Sequence, residues 1–240
     1  MNRTLAIESS GKAASAAVME DGRLVAQSFQ NSGLTHSETL LPMITAMLES
    51  SRTKLSDLSL IACATGPGSF TGLRIGISAA QGLAWGLGIP CAGVSSLAAL
   101  AHMSAFYRGT ICCVMDARRG QVYRAAYRTD GFRPSVLIAD GAVPLEQLQD
   151  ELSGLRDRIF LVGDGAELCY NYLVQRGAGC ELAPEHLRFQ SAFGVALAAQ
   201  DVSLRPFNEL LPVYLRLPQA ERERLEAAAR VSAPESCQDA

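Results

Sequence analysis

Apolar residues in this chain fall in short runs punctuated by glycine, and the runs recur in a fixed order. Thr4 to Glu8, Ala14 to Met19 and Arg23 to Gln30 each have strand length. Tight-turn residues separate them, at Ser10-Gly11-Lys12 and Asp21-Gly22, and Asp-Gly between alternating runs is a strong hairpin signal. About a hundred residues later the pattern returns: Thr110 to Asp116, a turn at Arg118-Arg119-Gly120, Gln121 to Tyr127, Asp130-Gly131, and Arg133 to Ile138. An acidic residue, Glu8 or Asp116, ends the first strand of each copy. Such self-similarity predicts duplication of one α/β unit.

Helical spacing follows each meander. Thr35-His36-Ser37-Glu38 has the form of a capping box, and Leu40, Leu41, Ile44, Met47 and Leu48 make an apolar stripe behind it. Pro42 either kinks that helix or marks its true first turn. In the second half a helix is predicted around Leu145 to Leu152 and a strand at Ile159 to Val162. Gly163-Asp164-Gly165 then leads into another helix and has the look of a phosphate-side or ribose-side turn.

The densest signal is Gly66-Pro67-Gly68-Ser69-Phe70-Thr71-Gly72-Leu73-Arg74-Ile75-Gly76, preceded by the buried-strand run Leu60 to Ala64. Thr71 is the N-cap candidate for a helix reaching about Trp85. Free backbone N–H groups at such a turn favour an anion, which makes Gly68, Ser69, Thr71 and Arg74 a candidate nucleotide or anion edge. A tight strand-to-helix turn, with Arg74 in solvent or paired to an internal acid, explains the same spacing. Familiar nucleotide and hydrolase motifs do not fit: no lysine follows the glycines, the dinucleotide spacing is one residue too long, and the serine lacks its G-x-S-x-G frame. Gly72, Gly76, Ala80, Gly82 and Gly86 on one helix imply close backbone approach, to the domain's own sheet or to a helix of another chain.

Ile75 to Tyr107 contains no Asp, Glu, Lys or Arg and is long enough to span a bilayer. Its five glycines and Pro90 favour instead a helix to Gly88, a strand Ile89 to Val94 and a helix capped by Ser95 or Ser96. A chain of 240 residues, 48% hydrophobic, can bury a full core. Its net charge of -3 disfavours tight autonomous RNA binding. The seven cysteines, never spaced C-x-x-C, read as reduced core residues, and with no secretory signal they place the chain in the cytoplasm.

Catalytic equipment is sparse. His36, His102 and His186 form no metal-binding pair, and no nucleophile has a visible activating base. Glu8 and Asp116 sit at strand ends, as do acids that hold hydrated magnesium in ATPases; turn capping is the favoured reading, and no metal is assigned.

These residues resemble a known family. Two duplicated meanders resemble the actin, Hsp70 and sugar-kinase-like (ASKHA) ATPase fold, an α/β fold of two lobes, each a mixed sheet flanked by helices. Leu5-Ala6-Ile7-Glu8-Ser9-Ser10, His36-Ser37-Glu38 with Leu40-Leu41-Pro42, Gly66 to Gly76, Gly93-Val94-Ser95-Ser96-Leu97, Asp116 to Tyr123 and Pro212-Val213-Tyr214-Leu215-Arg216 are similar to motifs of the bacterial TsaB (YeaZ) family. They run in order through residues 1 to 216. The lobes are expected at 1–104, the partner-binding half, and 105–218, with 219–240 a charged, disordered tail.

The resemblance implies a non-catalytic subunit required for threonylcarbamoyl transfer to adenosine 37 of tRNAs reading codons that begin with adenine. Its partners would be a TsaD-like catalytic subunit and a TsaE-like ATPase, with a homodimer when alone, tRNA only within the complex, and no membrane. The partner or dimer surface would be built by His36, Glu38, Leu41, Ile44 and Met47 on one helix, and Phe70, Gly72, Ile75, Gly76, Ala79 and Ala80 on the next. No cofactor is obligatory; ATP, ADP or threonylcarbamoyl-adenylate would lie at the partner interface. The first strand ends in Glu8 where the family usually has aspartate, which weakens an autonomous ATPase or kinase, the competing reading.

Overall fold

The computed structural model describes residues 2–155 and 157–216. The chain builds one pattern twice. Strands β1 (Arg3–Glu8), β2 (Ala14–Glu20) and β3 (Arg23–Gln30) form an antiparallel meander, followed by helix α1 (His36–Ser50), strand β4 (Leu60–Gly66), helix α2 (Phe70–Leu87), strand β5 (Cys91–Ser95) and helix α3 (Ser96–Met103). The second copy is β6 (Arg108–Asp116), β7 (Gln121–Asp130), β8 (Pro134–Pro144), α4 (Leu145–Ser153), β9 (Ile159–Val162), α5 (Ala166–Val174), β10 (Cys180–Leu182) and α6 (Ala192–Ala198). The first sheet has the order β3-β2-β1-β4-β5, and the second reads β8-β7-β6-β9-β10, the same order. In each, the last two strands join the meander in parallel through helical crossovers.

Local chemistry explains the junctions. Asp21 and Gly22 both take positive φ, 46° and 84°, the geometry of a two-residue hairpin turn. Arg118, Arg119 and Gly120 likewise turn through left-handed backbone at the corresponding point of the second copy. Gly88 ends α2 in left-handed geometry, and Ser95 caps α3 by accepting from Leu97 N and Ala98 N. Two sequence expectations need correction. Thr35 does not form a capping box, because its hydroxyl lies 3.1 Å from Ser37 Oγ instead of a helix N–H. Of the two readings of Pro42 only the first-turn one falls, for Pro42 lies inside α1, well past its start.

Each sheet is covered on both faces. On the first, α1 and α2 bury Leu40, Ile44, Leu73 and Ile77 against Leu5, Ile7 and Ile61. The other face is covered by α6, where Ala192, Val195 and Ala196 meet Ala6, Ala17 and Ala62. On the second sheet α4 and α5 cover one face, and α3 covers the other with Leu97 and Leu100 on Ile111, Cys113 and Met115. The third helix of each copy therefore packs on the other copy's sheet. The two exchanged helices also touch each other: a Cβ on Gly194 of α6 would stand 2.4 Å from Ala99 O of α3. Cys63, Cys91, Cys112, Cys113 and Cys169 are buried free thiols, Cys180 is half-buried, and Cys237 lies outside the described residues, as does the expected 219–240 tail.

Beyond α6 the chain crosses back to the first sheet. Arg205 exchanges two 2.8 Å backbone hydrogen bonds with Cys91, and Val213 N donates to Thr65 O at 2.7 Å. Among the described residues no helix is long and apolar enough to cross a membrane.

Candidate functional site: a groove and a cleft around the glycine loop

The Gly66 to Gly76 segment runs from the end of β4 into α2. Ser69, not Thr71, caps the helix: its Oγ accepts from Gly72 N at 3.2 Å, and Thr71 is exposed in the first turn. The loop is pinned to the β1–β2 loop, since Ser69 N donates to Ser10 O at 2.7 Å. Gly68 is required there, because a Cβ would stand 2.3 Å from Ser10 O.

The small-residue face of α2 divides in two. A Cβ on Gly72 would stand 2.1 Å from Ser9 O, and the added Cβ at Gly76 would meet Ser9 Oγ at 2.2 Å. Ser9 Oγ itself donates to Gly72 O at 2.9 Å. This half of the face, with Ala80 and Ala84, lies on the protein's own first sheet. The expectation that Gly72, Gly76 and Ala80 form a partner surface is thereby corrected, and so is that for Ile44 and Met47, which are buried beneath α1 in the same core. Close approach to the domain's own sheet accounts for these glycines. Gly82 and Gly86 face open space.

What remains exposed forms a groove of about 620 Å³ between α1 and α2, lined by Leu41, Phe70, Ile75 and Ala79 with His36 and Arg74 at its rim. Leu41 is 52% exposed. Glu38 is exposed on the first turn of α1. His36 Nε2 lies 3.0 Å from the Gly11 carbonyl, tying α1 to the β1–β2 loop. Arg74 is held in place by an aromatic pair: its guanidinium lies 3.8 Å over the Phe70 ring, and its Nε donates to Tyr214 Oη at 3.1 Å.

A second cavity, about 780 Å³, lies between the lobes on the other side of Phe70. Ser10, Lys12, Gly68 and Ser69 line the first-lobe side, with Asp116 and Asp164 opposite and Val213 to Arg216 along the edge. Arg216 Nη1 donates to the Ala117 carbonyl, so this segment contacts both lobes. The candidate anion edge, Gly68, Ser69, Thr71 and Arg74, is split between groove and cleft.

The two acidic strand ends differ. Asp116 is exposed, and its Oδ1 accepts from Arg118 N at 2.7 Å, capping the β6–β7 turn. Glu8 is fully buried; Oε1 accepts from Ser10 N at 2.5 Å, and Oε2 has no partner. Burial pushes its carboxyl up to about 7, with Asp164 adding to the effect and hydrogen bonds at Ser10 opposing it. Asp164 is itself raised by burial, against bonds from Gln190 Nε2 and Asp116 N, each 3.3 Å to Oδ1. Among the described residues no cluster of three or more His, Cys, Asp or Glu is placed to hold a metal.

Sequence reasoning gave no role to Tyr214 or Gln190, and read Asp164 only as part of a phosphate-side or ribose-side turn. Tyr214 lay in a quoted motif and Asp164 in a noticed glycine turn, but only the folded chain shows what they meet.

Two mixed sheets of identical strand order, each a meander joined to a parallel βαβ unit and facing one another across a cleft, define a duplicated actin/Hsp70/sugar-kinase-like fold. The family profile for TsaD, tRNA N6-adenosine threonylcarbamoyltransferase, matches residues 30–153. The chain is 30% identical to the tRNA threonylcarbamoyladenosine biosynthesis protein TsaB of Bacillus subtilis over 227 residues, 93% of this chain and 98% of the relative. It is 42% identical to Escherichia coli TsaB over 130 residues, 53% of this chain and 56% of that one. The solved structure of YeaZ from Pseudomonas aeruginosa superposes with a TM-score of 0.76 at 28% identity, covering 90% of this chain and all of the other. The chain belongs to the TsaB (YeaZ) family of tRNA threonylcarbamoyladenosine biosynthesis proteins.

Proposed function

We propose that this chain is a non-catalytic subunit of the machinery that places threonylcarbamoyl on adenosine 37 of tRNAs reading codons that begin with adenine. It acts in the cytoplasm by binding and activating a TsaD-like transferase, with a TsaE-like ATPase joining the assembly and tRNA engaged only within the complex. The α1–α2 groove is the binding surface, and the same surface pairs two copies when the partner is absent. Nucleotide, when present, occupies the Gly68 to Arg74 edge at that interface.

The observation that carries this reading is an apolar groove, with Leu41 half in solvent, beside an arginine whose position is fixed by Phe70 and Tyr214. Exposed apolar surface with a preorganised cation suits a protein partner better than a small polar substrate. The three histidines support it as well. His36 faces a backbone carbonyl, His102 lies near Ala98 O and Asp201, and His186 is in a separate exposed turn, so no histidine pair faces the cleft.

Reconstitution tests it. Modification should require this chain together with TsaD-like and TsaE-like subunits, and Leu41→Asp should abolish both partner capture and modification. Equal modification with this chain omitted would overturn the reading. So would phosphate turnover by the isolated chain that Glu8→Ala and Asp116→Ala abolish.

A further inference from the structure

Glu8 sits where the β1–β2 loop meets the second half of the chain. Its side chain is wholly buried, and Oε2 finds no partner. Two more buried polar atoms without a partner, Ser10 Oγ and Gln190 Oε1, lie on the residues of the same junction. Gln190 closes directly on the loop, for a Cβ on Gly11 would stand 2.5 Å from its Oε1. The other end of that amide donates to Asp164 Oδ1 at 3.3 Å. Ser10 Oγ brings one O–H donor, but Glu8 Oε2, Gln190 Oε1 and the Asp164 carboxylate are acceptors, so an ionised Glu8 would still leave acceptors in surplus in a buried corner. A carboxylic acid supplies one O–H donor instead.

We propose that Glu8 is held as the neutral acid while the 9–12 loop is closed against Asp164 and Gln190, and that loss of its proton loosens this junction, linking opening of the inter-lobe cleft to proton release.

The titratable groups around Glu8 support that direction. Asp164, on the loop after β9, acts on it as a like charge. Cys63 of β4 lies close enough for Glu8 to help raise its thiol. Asp164 in turn feels Lys12, which favours its charge, and Asp116, which opposes it. On α2, Gly72 and Gly76 come close to Ser9 of this loop and carry no titratable group. Burial carries the Glu8 carboxyl up to about 7, so it changes charge near neutrality. The loop is also the one that both groove helices touch, through His36 with Gly11 and Gly72 with Ser9.

Hydrogen exchange on the full chain, corrected for intrinsic rates, reads the junction directly. Opening of the 9–12 loop and Gly163 to Gly165 should rise roughly ten-fold per pH unit between the ordinary glutamate range and neutrality, more than in the cores of β6 and β9. Glu8→Gln, neutral at every pH, should flatten that rise. Protection independent of pH, or a pH response that survives Glu8→Gln, would overturn the proposal. Should Glu8→Gln fail to fold, infrared difference spectra of ¹³C-glutamate-labelled wild type decide: a protonated glutamate carbonyl band should titrate together with the junction, and its absence at mildly acid pH would refute it.

Discussion

Tyr214 stacks on Phe70, with ring centroids 4.8 Å apart and planes 29° from parallel, although one opens α2 and the other lies in the segment beyond α6. The pair fixes Arg74, whose Nε binds the Tyr214 hydroxyl while its guanidinium covers the Phe70 ring. Tyr214→Phe should keep the stack and lose one part-exposed hydrogen bond, costing about 1 kcal/mol or less in urea unfolding. Tyr214→Ala should cost more. Both should weaken capture of a TsaD-like partner by freeing Arg74, and unchanged affinity for Tyr214→Ala would remove Arg74 positioning from the interface.

Gly76 and Gly82 make a contrasting pair on one helix. The Gly76 site is closed by Ser9 Oγ, which is held by its bond to Gly72 O, so Gly76→Leu should destabilise the fold by about 3 kcal/mol or more. Gly82 has nothing within 4 Å, and Gly82→Ala should stabilise by about 0.5–1 kcal/mol through helix propensity alone. Thermal unfolding of the two variants separates internal packing from surface.

Leu41 and Ile44 lie one turn apart on α1 but differ in exposure, 52% against 3%. Leu41→Asp should change stability by no more than about 0.5 kcal/mol while abolishing partner capture. Ile44→Asp should unfold the protein. Partner binding intact in Leu41→Asp, measured by calorimetry, would move the interface away from the groove.

Glu8 sets a pH dependence of global stability. Its folded value is raised from 4.5 to about 7, so the native state holds the proton more tightly than the unfolded chain. Stability from this group is complete below the unfolded value and is lost as pH rises through the folded one, by about 3 kcal/mol in all. Glu151 works the other way: its carboxyl is lowered by Arg124, and its contribution is lost as the solution turns acid. Denaturant midpoints of Glu8→Gln should therefore fall less than wild type between mildly acid and neutral pH.

Much of the fold was legible because its signals are local. Asp21-Gly22, the arginine-glycine turn at 118 to 120 and the four-residue strand Ile159–Val162 follow from turn chemistry and apolar runs. The repeat of Glu8 and Asp116 exposed the duplication. The candidate site was read less well, since a stripe of small residues says that something approaches closely without saying what. Gly72, Gly76 and Ala80 satisfied that signal with the chain's own Ser9 and first sheet. Helical periodicity likewise placed Ile44 and Met47 on an apolar face but could not separate its buried side from its exposed edge at Leu41. Tyr214, Asp164 and Gln190 become visible only through contacts spanning more than a hundred residues for Tyr214 and 26 for the Asp164–Gln190 pair.

The exchange of α3 and α6 has a consequence in time. A nascent chain that has emerged through β5 holds a sheet whose Ala6, Ala17 and Ala62 face has no cover until Ala192 to Ala198 is made. Its own α3, meanwhile, waits for Ile111 and Met115 of a sheet not yet synthesised. The first half therefore cannot finish on the ribosome ahead of the second, so stalled or truncated products present a bare alanine-rich sheet face to the cell.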